Sequence, residues 1–466
     1  MEGTIVLFPM MAMGHLVSIV ELGKLILRHY HHRFSVTILI AEGPLDTPDV
    51  TTFLRHISES THSIYFHYLP SFSMNPSLHG NPRLQTISKT YSVRAFVIDF
   101  FGNLSLNVAS DLGILTYYFL TGGAVTLSFF LHLPTIHNQT TKSFKDTPTT
   151  HLHFPGLPSI LMNFYQQRQH KVQQIPASNL PEPVQDREDP TYNYFVEIGL
   201  NLRRSKGIML NTFEGNYAIT DGLCIPDAPT PPVYCVRPLI ASTENREGIT
   251  VNRCISWLDS QPSQSIVFLC FGSGGVFSTA QVREIAIGLK SGQRFLWVVR
   301  NPVSDDNNKH YSVEIKEPNL QALLSEGFSD RNMERGLVVK CWAPQVEVLN
   351  HKSVGGFVTH CGWNSVLEAV FAGVPMVAWP LYAEQHMNKA FLVEEMKLAM
   401  SMEKSVDGLV SAAEVENKIR ALMECKEGRV LRGRSRKMKE EAMDVWSDCG
   451  SSMIAFTRLV ESWVSQ

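Results

Sequence analysis

A turn between a predicted strand and a predicted helix is the chain's strongest candidate for a phosphate site. The apolar residues 356–359 lead into His360-Cys361-Gly362-Trp363-Asn364-Ser365, and the helix is predicted to end near Gly373. A helix N-terminus presents backbone N–H groups without intrahelical partners and the positive end of the helix dipole. The side chains of His360, Asn364 and Ser365 would add further hydrogen-bond donors there.

The same turn also has an interpretation that needs no ligand, because Ser365 and Glu368 have the S-x-x-E spacing of a helix capping box. Two neighbouring segments favour a ligand. Trp342 can offer a flat ring to a nucleotide base, and Glu384 with Gln385 ends the next strand with a carboxylate–amide pair suited to vicinal hydroxyls. An aromatic residue, a phosphate turn and polyol-binding groups, in that order, predict a nucleotide-sugar site.

A second group of reactive side chains is predicted near the N-terminus. His15 follows Gly14 where the first strand gives way to a helix, and histidine, with a reference pKa of about 6.5, suits a general base for a hydroxyl nucleophile. Asp99 ends a later apolar strand, where a carboxylate requires a partner. We therefore expect Asp99 to orient His15, although most of the chain's 17 histidines must be structural.

The segment from Trp342 to Gln385 resembles the signature of plant UDP-sugar-dependent glycosyltransferases of secondary metabolism. It reads WAPQVEVLNHKSVGGFVTHCGWNSVLEAVFAGVPMVAWPLYAEQ, and the match includes WAPQ, HCGWNS, the following Glu, WP and the closing acid–Gln pair. The resemblance extends through most of the chain, including Lys206-Gly207-Ile208 and Phe271-Gly272-Ser273. It implies that His15 is the general base and that Asp99 assists it.

The resemblance also implies a binding role for each residue of the donor site. Trp342 would stack on uracil, Ala343 would pair with it through its backbone, and Glu368 would bind the ribose. The remaining assignments are Ser273, His360, Asn364 and Ser365 for the diphosphate, Trp363, Glu384 and Gln385 for the sugar, Thr121 for a sugar or phosphate contact from the other domain, and Gln345 and Gly362 within the same UDP-sugar-binding motifs.

Apolar β-rich runs alternate with helical stretches, beginning with a strand at 4–9 and a helix from about Gly14 to Tyr30. This pattern is typical of parallel sheets covered on both faces. A proline-rich stretch at 224–240 is interpreted as an interdomain linker. We predict an α/β chain of two Rossmann-like domains facing across a cleft (GT-B fold): 1–238 binds the acceptor, 239–450 binds the UDP-sugar, and 451–466 is a helix crossing back to the first domain.

The composition of the chain argues against several classes of function. The chain has 466 residues with 44% hydrophobic and 18% charged residues, and its net charge of -3 comes from well-mixed side chains. No polybasic face for nucleic acid and no membrane span are expected. Cysteines within apolar runs are typical of a reducing compartment, so we predict a cytoplasmic protein, and we expect a monomer. No D-x-D cluster stands in the site, so no metal and no cofactor are implied, with UDP-glucose as co-substrate.

The predicted function is inverting, UDP-glucose-dependent O-glucosylation of a phenolic, flavonoid-type acceptor. Trp363 and Gln385 resemble the glucose-using members of the family. Three alternatives stay open: a family member that binds UDP-sugar without efficient transfer, a transferase for terpenoid alcohols, and one for another UDP-sugar. The first arises because the chain departs from the family near 75–83, 162–175 and 213–217 and at Met10-Met11-Ala12-Met13, all in the acceptor-binding half.

Overall fold

The computed structural model describes residues 3–41, 48–61, 63–69, 84, 88–89, 92–153, 174–212, 230–241, 249–289, 292–303, 317–324, 328, 334–405, 408–445, 447 and 449–464. The chain divides into two compact units, Met1–Ala241 with Asp444–Gln466 and Ser242–Met443. Most of segments 75–83, 162–175 and 213–217, whose lengths depart from the family pattern, lies outside the described residues. Only Gln174 and Ile175 among them are described, and they begin a short strand.

The first unit is built on a seven-stranded parallel sheet in the order β3-β2-β1-β4-β5-β8-β9. Its inner strands are short apolar runs buried on both faces, which is why they pair in parallel beneath helices. The strands and helices of this part, numbered along the chain, are β1 Gly3–Phe8, α1 Met13–Tyr30, β2 Phe34–Ala41, α2 Pro48–Ser60, β3 Ile64–Leu69, β4 Val93–Asp99, α3 Ser105–Asp111, β5 Thr116–Leu120, α4 Ala124–Gln139, β6 His151–His153, β7 Gln174–Pro176, α5 Glu182–Gln185, α6 Tyr192–Arg204, β8 Gly207–Leu210 and β9 Val233–Cys235.

The end of the chain belongs to this first unit. Helix α15, Ser451–Val464, packs against β4 and β9. Its Trp463 is fully buried, with its ring edge-on to those of Phe34 and Tyr117. A buried indole of this size contributes several kcal/mol to stability, of the order of 3–5 kcal/mol when truncated to alanine in other cores.

The second unit has a six-stranded parallel sheet in the order β12-β11-β10-β13-β14-β15. All residues of β10 and β13 are buried, so these two central strands form the middle of the unit's core. The elements are α7 Ile249–Asp259, β10 Ile266–Cys270, α8 Thr279–Gly288, β11 Arg294–Val299, α9 Leu320–Leu323, β12 Gly336–Lys340, α10 Gln345–Asn350, β13 Val354–Thr359, α11 Trp363–Ala372, β14 Met376–Ala378, α12 Gln385–Ala390, β15 Ala399–Ser401, α13 Ala412–Glu424 and α14 Lys426–Val445.

One element differs from the sequence interpretation. The proline-rich stretch 224–240 was expected to be linker, but Val233–Cys235 forms β9 and pairs in parallel with β8. Proline lacks an N–H group and is tolerated at a sheet edge, where one side of the strand needs no partner. The prolines at 231 and 232 precede the strand, so its own N–H groups stay available for pairing.

The prediction of two Rossmann-like α/β domains is confirmed, because each unit carries its own parallel sheet with helical crossovers. Within the described residues, no helix is both long and apolar enough to cross a membrane. The described cysteines Cys254, Cys270 and Cys361 are buried as free thiols.

Candidate active site

His15 and Asp99 are in direct contact within the first unit. Asp99 Oδ2 lies 2.7 Å from His15 Nδ1, and the Asp99 side chain is fully buried while that of His15 is 20% exposed. A carboxylate at this distance accepts a charge-assisted hydrogen bond from the Nδ1–H group. The other ring nitrogen, Nε2, then carries the lone pair, which is the form that a general base requires.

Sheet topology explains this contact. Strands β1 and β4 are parallel neighbours with Phe8 opposite Ile98, so their carboxyl ends meet at one edge of the sheet. Asp99 is the last residue of β4, and His15 is the third residue of α1, which begins at Met13. Two side chains 84 positions apart in the sequence therefore meet where parallel strands of an open α/β sheet place their ligand-binding groups.

Asp99 is fixed by a second hydrogen bond. Its Oδ1 accepts the backbone N–H of Phe101 at 3.0 Å and caps the short 3-10 turn Phe100–Gly102. Thr121, predicted to contact sugar or phosphate, has its hydroxyl 3.2 Å from His15 Nδ1. The structure therefore places Thr121 beside the predicted base.

Aromatic rings surround the imidazole. The rings of Phe100 and Phe101 have their centroids 5.9 Å and 5.6 Å from that of His15. Phe100 is buried, as are Tyr117 and Tyr118, so these three aromatic residues belong to the core. Phe101 is only half-buried and leaves an apolar surface next to the base.

Tyr194 is a contributor to this arrangement that the sequence did not suggest. Its hydroxyl donates to the backbone carbonyl of Phe101 at 2.5 Å, on the turn that Asp99 caps. Burial first, and the charge of Asp99 second, raise the pKa of Tyr194 to about 12, so the hydroxyl stays protonated and able to donate at neutral pH. Tyr194 lies in the first turn of α6, 93 positions from Phe101, and no local motif marks it.

The predicted phosphate turn of the second unit is a helix start without a side-chain cap. Helix α11 begins at Trp363 and its N-cap residue is Gly362, which has no side chain to satisfy the first-turn N–H groups. The capping-box alternative is therefore wrong, because Ser365 is the third residue of the helix. A helix N-terminus of this kind is suited to bind an anion, because the helix dipole is positive there and backbone N–H groups point towards the ligand.

Ser365 and Glu368 have a common partner instead. The side-chain amide of Gln345 donates to Ser365 Oγ at 2.8 Å and to Glu368 Oε2 at 2.6 Å. Both hydrogens of one amide nitrogen are thus used, and the first residue of α10 is tied to the first two turns of α11. Gln345 thus links Glu368, predicted to bind the ribose, and Ser365, predicted to bind the diphosphate, in one network.

His360 is enclosed between two glycines. A Cβ atom added at Gly272 or at Gly362 would lie 2.5 Å or 2.4 Å from His360 Nε2, so any larger residue at either position would clash with the ring. Gly272 also has φ +74, a conformation that favours glycine. His360 is buried, and among the described residues its Nδ1 has no hydrogen-bond partner.

Burial lowers the pKa of His360 to about 4. The ring is therefore neutral at pH 7. A neutral imidazole can still donate one N–H to a diphosphate oxygen. The positive helix end remains the main source of stabilisation for the anion.

The remaining donor-site residues differ in their environment. Trp342 is 45% exposed, although indole rings are highly buried on average. Ala343 and Trp363 are buried, and Ser273 is exposed on the turn after β10. Gln385 Oε1 accepts the backbone N–H groups of Leu381 and Tyr382 at 2.9 Å and 3.1 Å. The amide oxygen of Gln385 is therefore occupied by the chain itself, so its NH2 group is the part suited to a sugar hydroxyl.

Asn388 also supports this site and was missed from the sequence. Its side chain is 1% exposed, and its Nδ2 donates to the carbonyl of Cys361 at 2.9 Å. Cys361 has φ +66, which is strained for a residue with a side chain, and its N–H donates to Thr359 Oγ1 at 3.3 Å. Asn388 thus holds the residue that turns the chain from His360 into the helix start.

Comparison with known proteins agrees with this arrangement. A family model described as UDP-glucoronosyl and UDP-glucosyl transferase matches residues 252–430. UDP-glycosyltransferase 88F4 of Malus domestica is 46% identical, covering 99% of this chain and all of the relative. A phloretin 2'-O-glucosyltransferase of Malus domestica is 45% identical over 99% of this chain and all of its own.

Solved structures give the same result. Phytolacca americana UGT2, complexed with UDP-2fluoro-glucose and pterostilbene, is 33% identical with a TM-score of 0.82, covering 99% of this chain and 100% of the other. Medicago truncatula UGT71G1, complexed with UDP-glucose, is 30% identical with a TM-score of 0.82, covering 99% of this chain and 98% of the other. The protein is a glycosyltransferase of the GT-B fold. It belongs to the plant UDP-glycosyltransferase family, whose co-substrate is a UDP-sugar.

The low pKa of His360 predicts a pH-dependent stability. The folded ring binds a proton only below about 4 and the unfolded ring already below about 6.5. The folded state therefore binds fewer protons in this interval, and the free energy of unfolding must fall as the pH falls through it, by about 2 kcal/mol between pH 7 and pH 5.

Urea unfolding of wild type and His360→Gln at both pH values measures this contribution. The variant should lose less stability than wild type on acidification, because glutamine does not titrate. His32→Gln, at an exposed histidine, serves as control and should match wild type. Equal acid sensitivity in His360→Gln and wild type would contradict a buried neutral ring.

Truncating Asn388 should weaken donor binding. Asn388→Ala leaves the Cys361 carbonyl without its donor, at a cost of about 1–3 kcal/mol, and releases a strained turn. We expect the KM for UDP-glucose to rise roughly tenfold, with a smaller change in the KM for the acceptor. Steady-state kinetics with each substrate varied in turn separates the two constants.

Asn350→Ala is the matched control, since Asn350 makes the same kind of bond, to the Val346 carbonyl at 2.9 Å, on an exposed helix end. It should leave both constants unchanged. A lower melting temperature in Asn388→Ala with an unaltered KM for UDP-glucose would show that Asn388 supports the fold and not the site.

Proposed function

We propose that the protein is an inverting UDP-glucose-dependent O-glucosyltransferase acting on a phenolic, flavonoid-type small molecule. The observation that carries this proposal is the 2.7 Å contact between His15 and the buried Asp99. It lies at the carboxyl ends of two neighbouring strands and presents an oriented imidazole. The predicted donor-site residues of the second unit and the activities for which the relatives are named also support the proposal.

In the proposed reaction, His15 Nε2 removes the proton of the acceptor hydroxyl as its oxygen attacks C1 of glucose. The new C1–O bond forms on the face opposite the phosphate, and the bond from C1 to the phosphate oxygen breaks, so an α-linked donor yields a β-glucoside and UDP. Asp99 stabilises the imidazolium formed, and the buried carboxylate needs no movement to do so. A phenol, with a pKa near 10, loses its proton to one histidine far more readily than an alcohol does.

The departing diphosphate would be stabilised by the second unit. The start of α11, with Gly362 as N-cap and Asn364 and Ser365 in its first turn, supplies backbone N–H groups and the positive end of a helix. His360 would donate one hydrogen bond in its neutral form. Stabilisation of charge that develops in the transition state by prearranged donors is usually the largest single contribution to such catalysis.

Glucose is the proposed sugar because Trp363 and Gln385 match the glucose-using members of the family. An arginine at position 363 would favour a glucuronate donor through its carboxylate. Glu384 and the NH2 group of Gln385 would bind sugar hydroxyls. The relatives named for phloretin and for anthocyanidin glucosylation support both the glucose donor and a flavonoid-type acceptor.

Replacing His15 tests the mechanism. His15→Ala should lower kcat by about 100- to 10,000-fold, the usual contribution of a general base, while the Kd for UDP stays near the wild-type value because that site lies in the other unit. Asp99→Asn should also lower kcat, since an amide can present a donor to Nδ1 and favour the wrong tautomer. Stopped assays with UDP calorimetry on the same preparations measure both quantities.

His32→Ala, at an exposed histidine after α1, is the control and should retain full turnover. Near-normal kcat in His15→Ala would remove His15 from the reaction. NMR of the product reports the anomeric configuration, and an α-glucoside would refute inversion.

A two-way screen tests donor and acceptor. UDP-glucose should be preferred over UDP-galactose and UDP-glucuronate, and flavonoids or dihydrochalcones over terpenoid and steroid alcohols, with mass spectrometry as readout. Preference for another UDP-sugar would refute the glucose assignment, and exclusive turnover of terpenoid or steroid alcohols the acceptor assignment. UDP binding without transfer to any acceptor would show a binding protein that has lost its activity.

A further inference from the structure

The second unit contains a cavity of about 210 Å³ at the amino ends of its strands, away from the predicted nucleotide site. It adjoins Val354 at the start of β13 and Gly373 at the end of α11, whereas the phosphate turn joins the other ends of these two elements. Six residues of strand separate the two places, which corresponds to about 16–20 Å. The cavity is therefore distinct from the nucleotide site.

Four permanent cations line this cavity, namely Lys352, Arg432, Arg436 and Lys439. None of them makes an ion pair within 4.0 Å in the part of the chain that the structure describes. The carboxyl ends of α10 and α11 also border the cavity, and each contributes about half a negative charge. The helix ends therefore offset roughly one unit of charge out of four, and the cavity stays strongly positive in a protein whose net charge is -3.

Within the described residues, the guanidinium group of Arg432 is only weakly hydrogen-bonded. Its Nη2 is 3.4 Å and 3.5 Å from the carbonyls of Gly355 and Leu422, which are long contacts. Its Nε is buried and has no partner among the described residues. Burial and then the charge of Arg436, one helical turn further along α14, lower the pKa of Arg432, so the two guanidinium groups repel each other.

We propose that this cavity binds a phosphoryl group, as a free phosphate or as part of a phosphorylated molecule. Guanidinium groups match phosphate oxygens in a two-pronged geometry, and lysines add point charge. A multiply charged anion would relieve the repulsion between Arg432 and Arg436. The volume is below that of pockets for drug-sized ligands, which favours a small anion or a single headgroup over a bulky metabolite.

Calorimetry with inorganic pyrophosphate, on full-length protein with UDP filling the donor site, tests the proposal. Pyrophosphate should bind wild type, and the double variant Arg436→Ala/Lys439→Ala should bind it at least tenfold more weakly. Lys437→Ala is the control: it removes one positive charge from the same helix, whereas the double variant removes two, and Lys437 is absent from the cavity lining and lies near Glu441. Its affinity should equal that of wild type.

No binding to wild type, or the same loss in Lys437→Ala as in the double variant, would overturn the proposal. Transfer activity and melting temperature without pyrophosphate should be the same in all three proteins, which excludes misfolding as the cause. Sedimentation with vesicles containing phosphatidic acid identifies the source of the group. Binding to vesicles that pyrophosphate displaces indicates a lipid headgroup, and binding of pyrophosphate alone indicates a soluble anion.

Discussion

The turn from Thr359 to Trp363 is the constraint on which the donor half of the protein depends. A fully buried strand must pass into a helix within three residues, and this requires Cys361 at φ +66 and a glycine as N-cap. His360 occupies the space that the missing side chains of Gly272 and Gly362 leave. Backbone strain of this kind, of the order of 1–3 kcal/mol per residue, persists only where surrounding contacts hold it.

Those contacts come from both sides of the turn. Asn388 holds the carbonyl of Cys361, and Gln345 ties Ser365 to Glu368. Asn388 and Gln345 thus hold in place residues that would touch the nucleotide sugar. A phosphate site formed from backbone N–H groups depends on such support, because its donors cannot adjust by side-chain rotation as an arginine can.

Sequence reasoning succeeded where function follows from local order along the chain. The signature at 342–385, the α/β alternation, the position of Asp99 at a strand end and that of His15 at a helix start all depend on neighbours in sequence. The sheet order then brings the two residues together. It failed for Tyr194 and Asn388, because their roles arise from contacts with Phe101 and Cys361 on other elements. The S-x-x-E spacing was misleading for the same reason, since the partner of Ser365 lies 20 positions earlier.

The two histidines of the predicted mechanism illustrate how environment assigns chemistry. His15 has a carboxylate 2.7 Å from Nδ1, so the positive ring that would form after proton abstraction is stabilised in advance. His360 is buried without a carboxylate, and its pKa of about 4 keeps it neutral. Exchange of these environments would abolish both functions. A neutral histidine without an acid partner could not accept the acceptor's proton at low cost, and a carboxylate beside the phosphate turn would repel the diphosphate.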